Sequence, residues 1–88
     1  MRTDIVIYED NDFLRKSITD LLKDDLRFNV IGDFENCNQV LKQLKRLQPK
    51  VVLMDIGMPG VNGLEALKII KSNLPSIFVI MLTVFEDN

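Results

Sequence analysis

Four short apolar runs alternate with three stretches of helical periodicity, and this alternation is the feature that most limits what the chain can fold into. Ile5-Val6-Ile7-Tyr8 reads as a strand that stops at Glu9-Asp10. Leu14, Ile18, Leu21 and Leu22 then recur at i, i+4, i+7 and i+8, the spacing of one helical face, with Asn11 or Asp12 placed to cap it. Phe28-Asn29-Val30-Ile31 is a second strand, closed by Gly32. Val40, Leu41, Leu44 and Leu47 mark a second helix whose other side carries Lys42, Lys45 and Arg46, and Pro49 ends it. Val51-Val52-Leu53-Met54 is a third strand, Leu64, Leu67 and Ile70 with Ala66 form a third helix, and after Pro75 come six apolar residues, Ile77 to Leu82. Strands and helices in strict alternation predict an α/β fold, a parallel sheet joined by right-handed crossovers with helices on both faces. Three of the four strands lack polar alternation, as strands covered on both sides do.

Composition removes several function classes. With 88 residues there is room for one domain, and a domain of this size buries only about 60% of its unfolded surface. Eleven basic against 13 acidic side chains leave a net charge of −2, which argues against direct nucleic-acid binding by this chain. The absence of His excludes His general bases, Ser-His triads and His-ligated zinc. A single cysteine, Cys37, permits no internal disulfide, and its place near the second helix suits a small packed side chain better than a redox centre. No apolar run is long enough for a membrane helix and no signal-peptide plan is visible, so the expectation is a soluble cytoplasmic protein.

Folds of this class place ligands beyond the carboxyl ends of the strands, where strand order reverses. Those positions hold Glu9-Asp10 after the first strand, Asp55 after the third and Thr83 after the fourth. Asp is depleted in strands, and carboxylates converging on one crevice repel each other. A hard divalent cation would remove that cost, and Mg²⁺ commonly takes one or two carboxylates, waters and a phosphate oxygen. Glu9 and Asp10 taken singly are equally well read as residues meeting the N-terminal dipole of the following helix. The set as a whole favours the metal.

IVIYEDN (Ile5 to Asn11), VVLMDIGMPGVNG (Val51 to Gly63) and VIMLT (Val79 to Thr83) together resemble the receiver domain of bacterial two-component response regulators. The resemblance runs in register along the whole chain, and the middle motif is its most specific part. It implies a three-layer, flavodoxin-like receiver fold with four strands and three helices present. It also implies that Asp55 is the phosphoacceptor, a carboxylate nucleophile toward a phosphohistidine on a partner sensor histidine kinase or phosphotransfer protein. Asp10 and Asp55 would ligate Mg²⁺ with the Gly57 backbone carbonyl, Glu9 would act through metal-bound water, and Thr83 would be the switch hydroxyl. On this reading the chain is a signalling domain, and its only chemistry is its own phosphorylation and dephosphorylation. The family most often regulates transcription, which makes the output a separate domain.

The sequence departs from the family in two ways. Val84 follows Thr83 where a small residue is usual. The family's fourth helix, fifth strand and fifth helix, with the Lys that pairs with the phosphoryl group, have no counterpart within residues 1–88. With family strand order, Ile77–Leu82 is then an uncharged apolar edge of the kind natural proteins cover. A further segment would cover it, or a second copy would, by edge pairing or exchange of elements. Two other classes fit the sequence less well. An aspartyl-phosphate phosphohydrolase of the haloacid-dehalogenase type places an Asp two residues after its nucleophile, where this chain has Gly57. A flavodoxin-like cofactor binder needs a hydroxyl- and glycine-rich loop where Glu9-Asp10 stand. A receiver that binds partners without phosphorylation is the remaining alternative.

Overall fold

A computed structural model describes residues 1–82, so Thr83 and Val84 lie outside the described residues. The elements run β1 (Thr3–Tyr8), α1 (Asp12–Lys23), β2 (Phe28–Phe34), α2 (Val40–Leu47), β3 (Val51–Asp55), α3 (Gly63–Asn73) and β4 (Phe78–Leu82). The strands form one parallel sheet of order β2-β1-β3-β4. β1 therefore has β2 on one side and β3 on the other, and the reversal of strand order falls between β1 and β3, at Glu9-Asp10 and Asp55.

Pleating sends alternate side chains to opposite faces. Val6, Tyr8, Val52 and Met54 face α2 and α3, and all four are fully buried with Val40, Leu44, Ala66 and Ile70 in one core cluster. Cys37 closes this core with its thiol 3.2 Å from the Met54 sulfur. Burial pushes the Cys37 thiol up to about 12, in keeping with an inert packed side chain. Ile5 and Ile7 point to the other face and are also buried, on the side where α1 packs against β1 and β2.

Four expectations are corrected. Gly32 does not close β2, which runs on to Phe34. Val30 pairs with Ile5 and Gly32 with Val6, so Ile31 is an extra residue of a bulge, and a Cβ at Gly32 would sit 3.1 Å from Leu47 and the Phe34 ring. Leu21 is 75% exposed, whereas Thr19 is the buried residue of α1. Its hydroxyl is satisfied by the Arg15 carbonyl at 2.8 Å, which lets a polar side chain take the inward position. Leu64 is exposed, and α3 packs through Gly63, Ala66 and Ile70 instead. Lastly, β4 begins at Phe78, and among the described residues it is covered on one face only, with Phe78 63% and Ile80 52% exposed.

Candidate metal centre

The site is assembled where strands end. β1 stops at Tyr8, and the Glu9 N–H donates to the Phe34 carbonyl at 3.0 Å, carrying one more ladder bond past the strand. Asn11 caps α1 by accepting from the Leu14 N–H at 2.9 Å. Glu9 and Asp10 are thereby confined to a two-residue passage between strand and helix. Asp55 is the last residue of β3, and its Oδ1 accepts from the Gly57 N–H at 3.2 Å. The turn that follows is held by buried Met58 and by the start of α3. A Cβ on Gly63 would lie 2.3 Å from the Asp55 carbonyl oxygen, so only glycine lets α3 begin directly against the end of β3. Asn62 caps that helix through the Glu65 N–H.

Carboxylate oxygens of Glu9, Asp10 and Asp55 lie within 4.8 Å of one another. Asp10 is exposed, Asp55 half-buried and Glu9 almost wholly buried. Glu9 Oε2 accepts from the Asn11 N–H at 3.2 Å, but Glu9 Oε1 is buried without a hydrogen-bond partner among the described residues. Burial pushes the Glu9 carboxyl up to about 7, the Asn11 amide opposes this, and the neighbouring Asp55 and Asp10 add to it. A buried oxygen without a donor beside two further carboxylates is an arrangement that a hard cation satisfies and that apolar packing does not. The donor set fits Mg²⁺: all oxygen, acidic and open on the Asp10 side.

Three of the residues singled out in the sequence are thus brought together, and a fourth, Gly57, sits in the exposed turn beside Asp55. A Cβ at Gly57 would meet nothing within 4 Å, so its side-chain space is not what a glycine is needed for there. Sequence reasoning missed Arg15. Its Nη1 donates to the Glu9 carbonyl at 2.8 Å and its Nη2 to Asp12 Oδ1 at 2.6 Å, and its Nε lies 3.3 Å from Asp33 Oδ1. The i, i+3 spacing from Asp12 was a visible signal, whereas the partner on β2 was not.

An acidic crevice thus lies at the switch point of a four-stranded parallel α/β sheet, with Asp55 ending one of its two inner strands. Residues 5–88 match the response regulator receiver domain family, and the chain belongs to it. Transcriptional regulatory protein LnrK of Bacillus subtilis is 42% identical over 84 residues, 96% of this chain and 38% of that protein. Response regulator GacA of Pseudomonas viridiflava is 37% identical over 84 residues, 96% of this chain and 39% of that protein. The isolated receiver domain of RcsB from Salmonella enterica serovar Typhimurium, solved with phosphomimetic BeF₃⁻, superposes with a TM-score of 0.88 at 28% identity, covering 99% of this chain and 65% of that one. The chain therefore spans under two-fifths of the curated relatives it matches. Its fold is the flavodoxin-like receiver fold and its role is that of a response-regulator receiver. Among the described residues no helix is long and apolar enough to cross a membrane.

Proposed function

We propose that the chain accepts a phosphoryl group on Asp55 from a phosphohistidine of a sensor histidine kinase or phosphotransfer protein, and relays that state to an output domain acting in transcription regulation in the cytoplasm. The observation that carries this reading is the convergence of Glu9, Asp10 and Asp55 with one buried, unpartnered Glu9 oxygen. Asp10, Asp55 and the Gly57 carbonyl would hold Mg²⁺, and Glu9 would act through its water. Bound there, the ion would neutralise the carboxylates and take a phosphoryl oxygen.

Asp55 ends a strand held on both sides by β1 and β4, which supports the reading of it as the nucleophile. One carboxylate oxygen forms a bond to phosphorus while the P–N bond to the donor imidazole breaks, and the imidazole leaves as a neutral group after taking a proton. The other oxygen is oriented by the Gly57 N–H. Thr83, directly after β4, is the hydroxyl assigned to read the phosphoryl group. The chain by itself is not assigned turnover of an external substrate. We further propose that residues 1–88 are part of a receiver whose remaining strand pairs with the free edge of β4, in line with the greater length of the RcsB receiver chain.

Incubation with Mg²⁺ and a small acyl phosphate, read by intact mass, tests the assignment. A chain extended through the rest of the receiver gains one phosphate, and Asp55→Ala abolishes the gain. Modification that survives Asp55→Ala refutes it. Elution of the 88-residue chain as a stable monomer at high concentration would contradict the need to cover β4.

A further inference from the structure

We propose that Arg15 is a positioning residue for the acidic crevice, a guanidinium clamp that fixes the peptide joining Glu9 to Asp10; this rests on the reading of that crevice as a Mg²⁺ site. The three contacts reach the loop after β1, the first turn of α1 and β2. Nη1 holds the Glu9 carbonyl at 2.8 Å, Nη2 holds Asp12 in the first turn of α1 at 2.6 Å, and Nε faces Asp33 on β2 at 3.3 Å. The side chain is only 17% exposed, so these contacts are not those of a freely solvated arginine.

The Glu9 carbonyl belongs to the rigid peptide plane that also contains the Asp10 nitrogen. Holding that oxygen sets the direction in which the chain leaves β1, and therefore where the Asp10 carboxylate stands. The opposite side of Glu9 is already fixed, because its N–H donates to Phe34 of β2 at 3.0 Å. Arg15 is tied to β2 as well, through Asp33, so both backbone groups of Glu9 are referenced to the same strand. Only a planar fork with several donors can reach a carbonyl and two carboxylates at once; a lysine ammonium on its flexible stem cannot.

The charge of Arg15 and its geometry act on the metal in opposite directions. A cation beside the crevice repels Mg²⁺, so if charge were all that mattered, removing it would tighten binding. If the clamp matters, removing it lets Asp10 drift and weakens binding, by about tenfold on the scale known for groups that orient metal ligands. Mg²⁺ titration of the 88-residue chain, followed by the amide NMR shifts of Asn11 and Gly57 at low and high salt, separates the two, with melting temperature recorded alongside. Arg15→Lys, which keeps the charge, and Arg15→Gln, which removes it, are both expected to weaken Mg²⁺ binding about tenfold, at low and at high salt alike. Tighter binding in Arg15→Gln, or wild-type affinity in Arg15→Lys, would overturn the clamp. So would unchanged affinity with a lowered melting temperature, the signature of a strap between α1 and β2. Should either variant fail to fold, Asp33→Asn at the half-exposed end of the clamp gives the same readout, with weaker binding at high salt expected and unchanged binding overturning the proposal. A wild-type chain whose Asn11 and Gly57 amides ignore Mg²⁺ would instead overturn the metal reading itself, and the clamp with it.

Discussion

The two faces of the sheet are built from strands of nearly the same composition, yet they differ sharply in how they are covered. On the α2/α3 face Val6, Tyr8, Val52 and Met54 are wholly buried, and Val79 and Met81 extend that packing across β4. On the α1 face Ile5 and Ile7 are buried, but along the same pleat rows toward β4 the exposure climbs until Phe78 stands 63% and Ile80 52% open. A continuous apolar run therefore reports that a strand can be covered twice, and what lies above it decides whether it is. The acidic crevice sits at the end of the well-packed half, where β1 and β3 adjoin.

The largest effect should come from breaking the packed face. Leu44→Ala removes a wholly buried side chain and is expected to cost about 2–5 kcal/mol, enough to unfold much of so small a domain. Phe78→Ala, a larger deletion from the open face, should change stability by under about 0.5 kcal/mol. Urea denaturation compares the two directly. Equal costs would mean that the faces are not different.

Gly63→Ala comes next. The new Cβ would meet the Asp55 carbonyl oxygen at 2.3 Å and the Ile56 Cα at 2.8 Å, backbone atoms that cannot swing away. Overpacking of this kind costs about 1–3 kcal/mol, and here relief of the clash must move Asp55. Loss of stability together with weaker Mg²⁺ binding is the expected pair. A stable variant with intact binding would show that α3 need not start so close to β3.

A smaller effect, of opposite sign, is expected at the crevice. The Glu9 carboxyl titrates near 7 in the fold against about 4.5 when unfolded, chiefly through burial. Between those values the folded chain holds a proton that the unfolded chain has lost, so without divalent cation its stability falls as pH rises through this window. Glu9→Gln keeps the shape and removes the charge. It should raise stability at pH 7 by something on the order of 1 kcal/mol, flatten the pH dependence, and weaken Mg²⁺ binding. Thermal melts from pH 4 to 8, with and without Mg²⁺, check all three. A steeper fall in the variant would point to another group.

How much of this was legible follows from where the determinants lie. Glu9, Asp10 and Asp55 could be read because strand ends are visible as the last apolar residue, and the alternation of elements places those ends on one edge of the sheet. A cap at Asn11 or Asp12 was legible for the same local reason, and the structure selects Asn11. Arg15 was not, since its partner Asp33 is far along the chain, on the part of β2 that continues past Gly32, where the sequence pattern closes the strand. That the missing Cβ of Gly63 admits the Asp55 backbone required the packing of α3 on β3. Leu21 misled because periodicity gives a helix a face without saying how wide a strip its neighbours will cover. Thr83, the remaining residue read as part of the site, lies outside the described residues.

The smallest expected change in stability bears most directly on the open face. Ile80 is half-exposed on β4, an edge strand whose described residues Phe78 to Leu82 carry no charge. Such an edge offers both free backbone hydrogen-bonding groups and apolar side chains to another chain. Ile80→Lys leaves the packed face untouched, because the side chain points away from α2 and α3, and it should shift folding stability by no more than about 0.5 kcal/mol. Yet a charge on this strand is the device by which natural edges resist pairing, so self-association of the 88-residue chain should drop measurably in light scattering. Where the remainder of the receiver is present and covers this face, the signs reverse: the same lysine would be buried against new packing and would cost stability without altering association. A substitution that is silent in the short chain and harmful in the extended one would therefore locate the missing cover on the α1 side of β4, and equal behaviour in both would place it elsewhere.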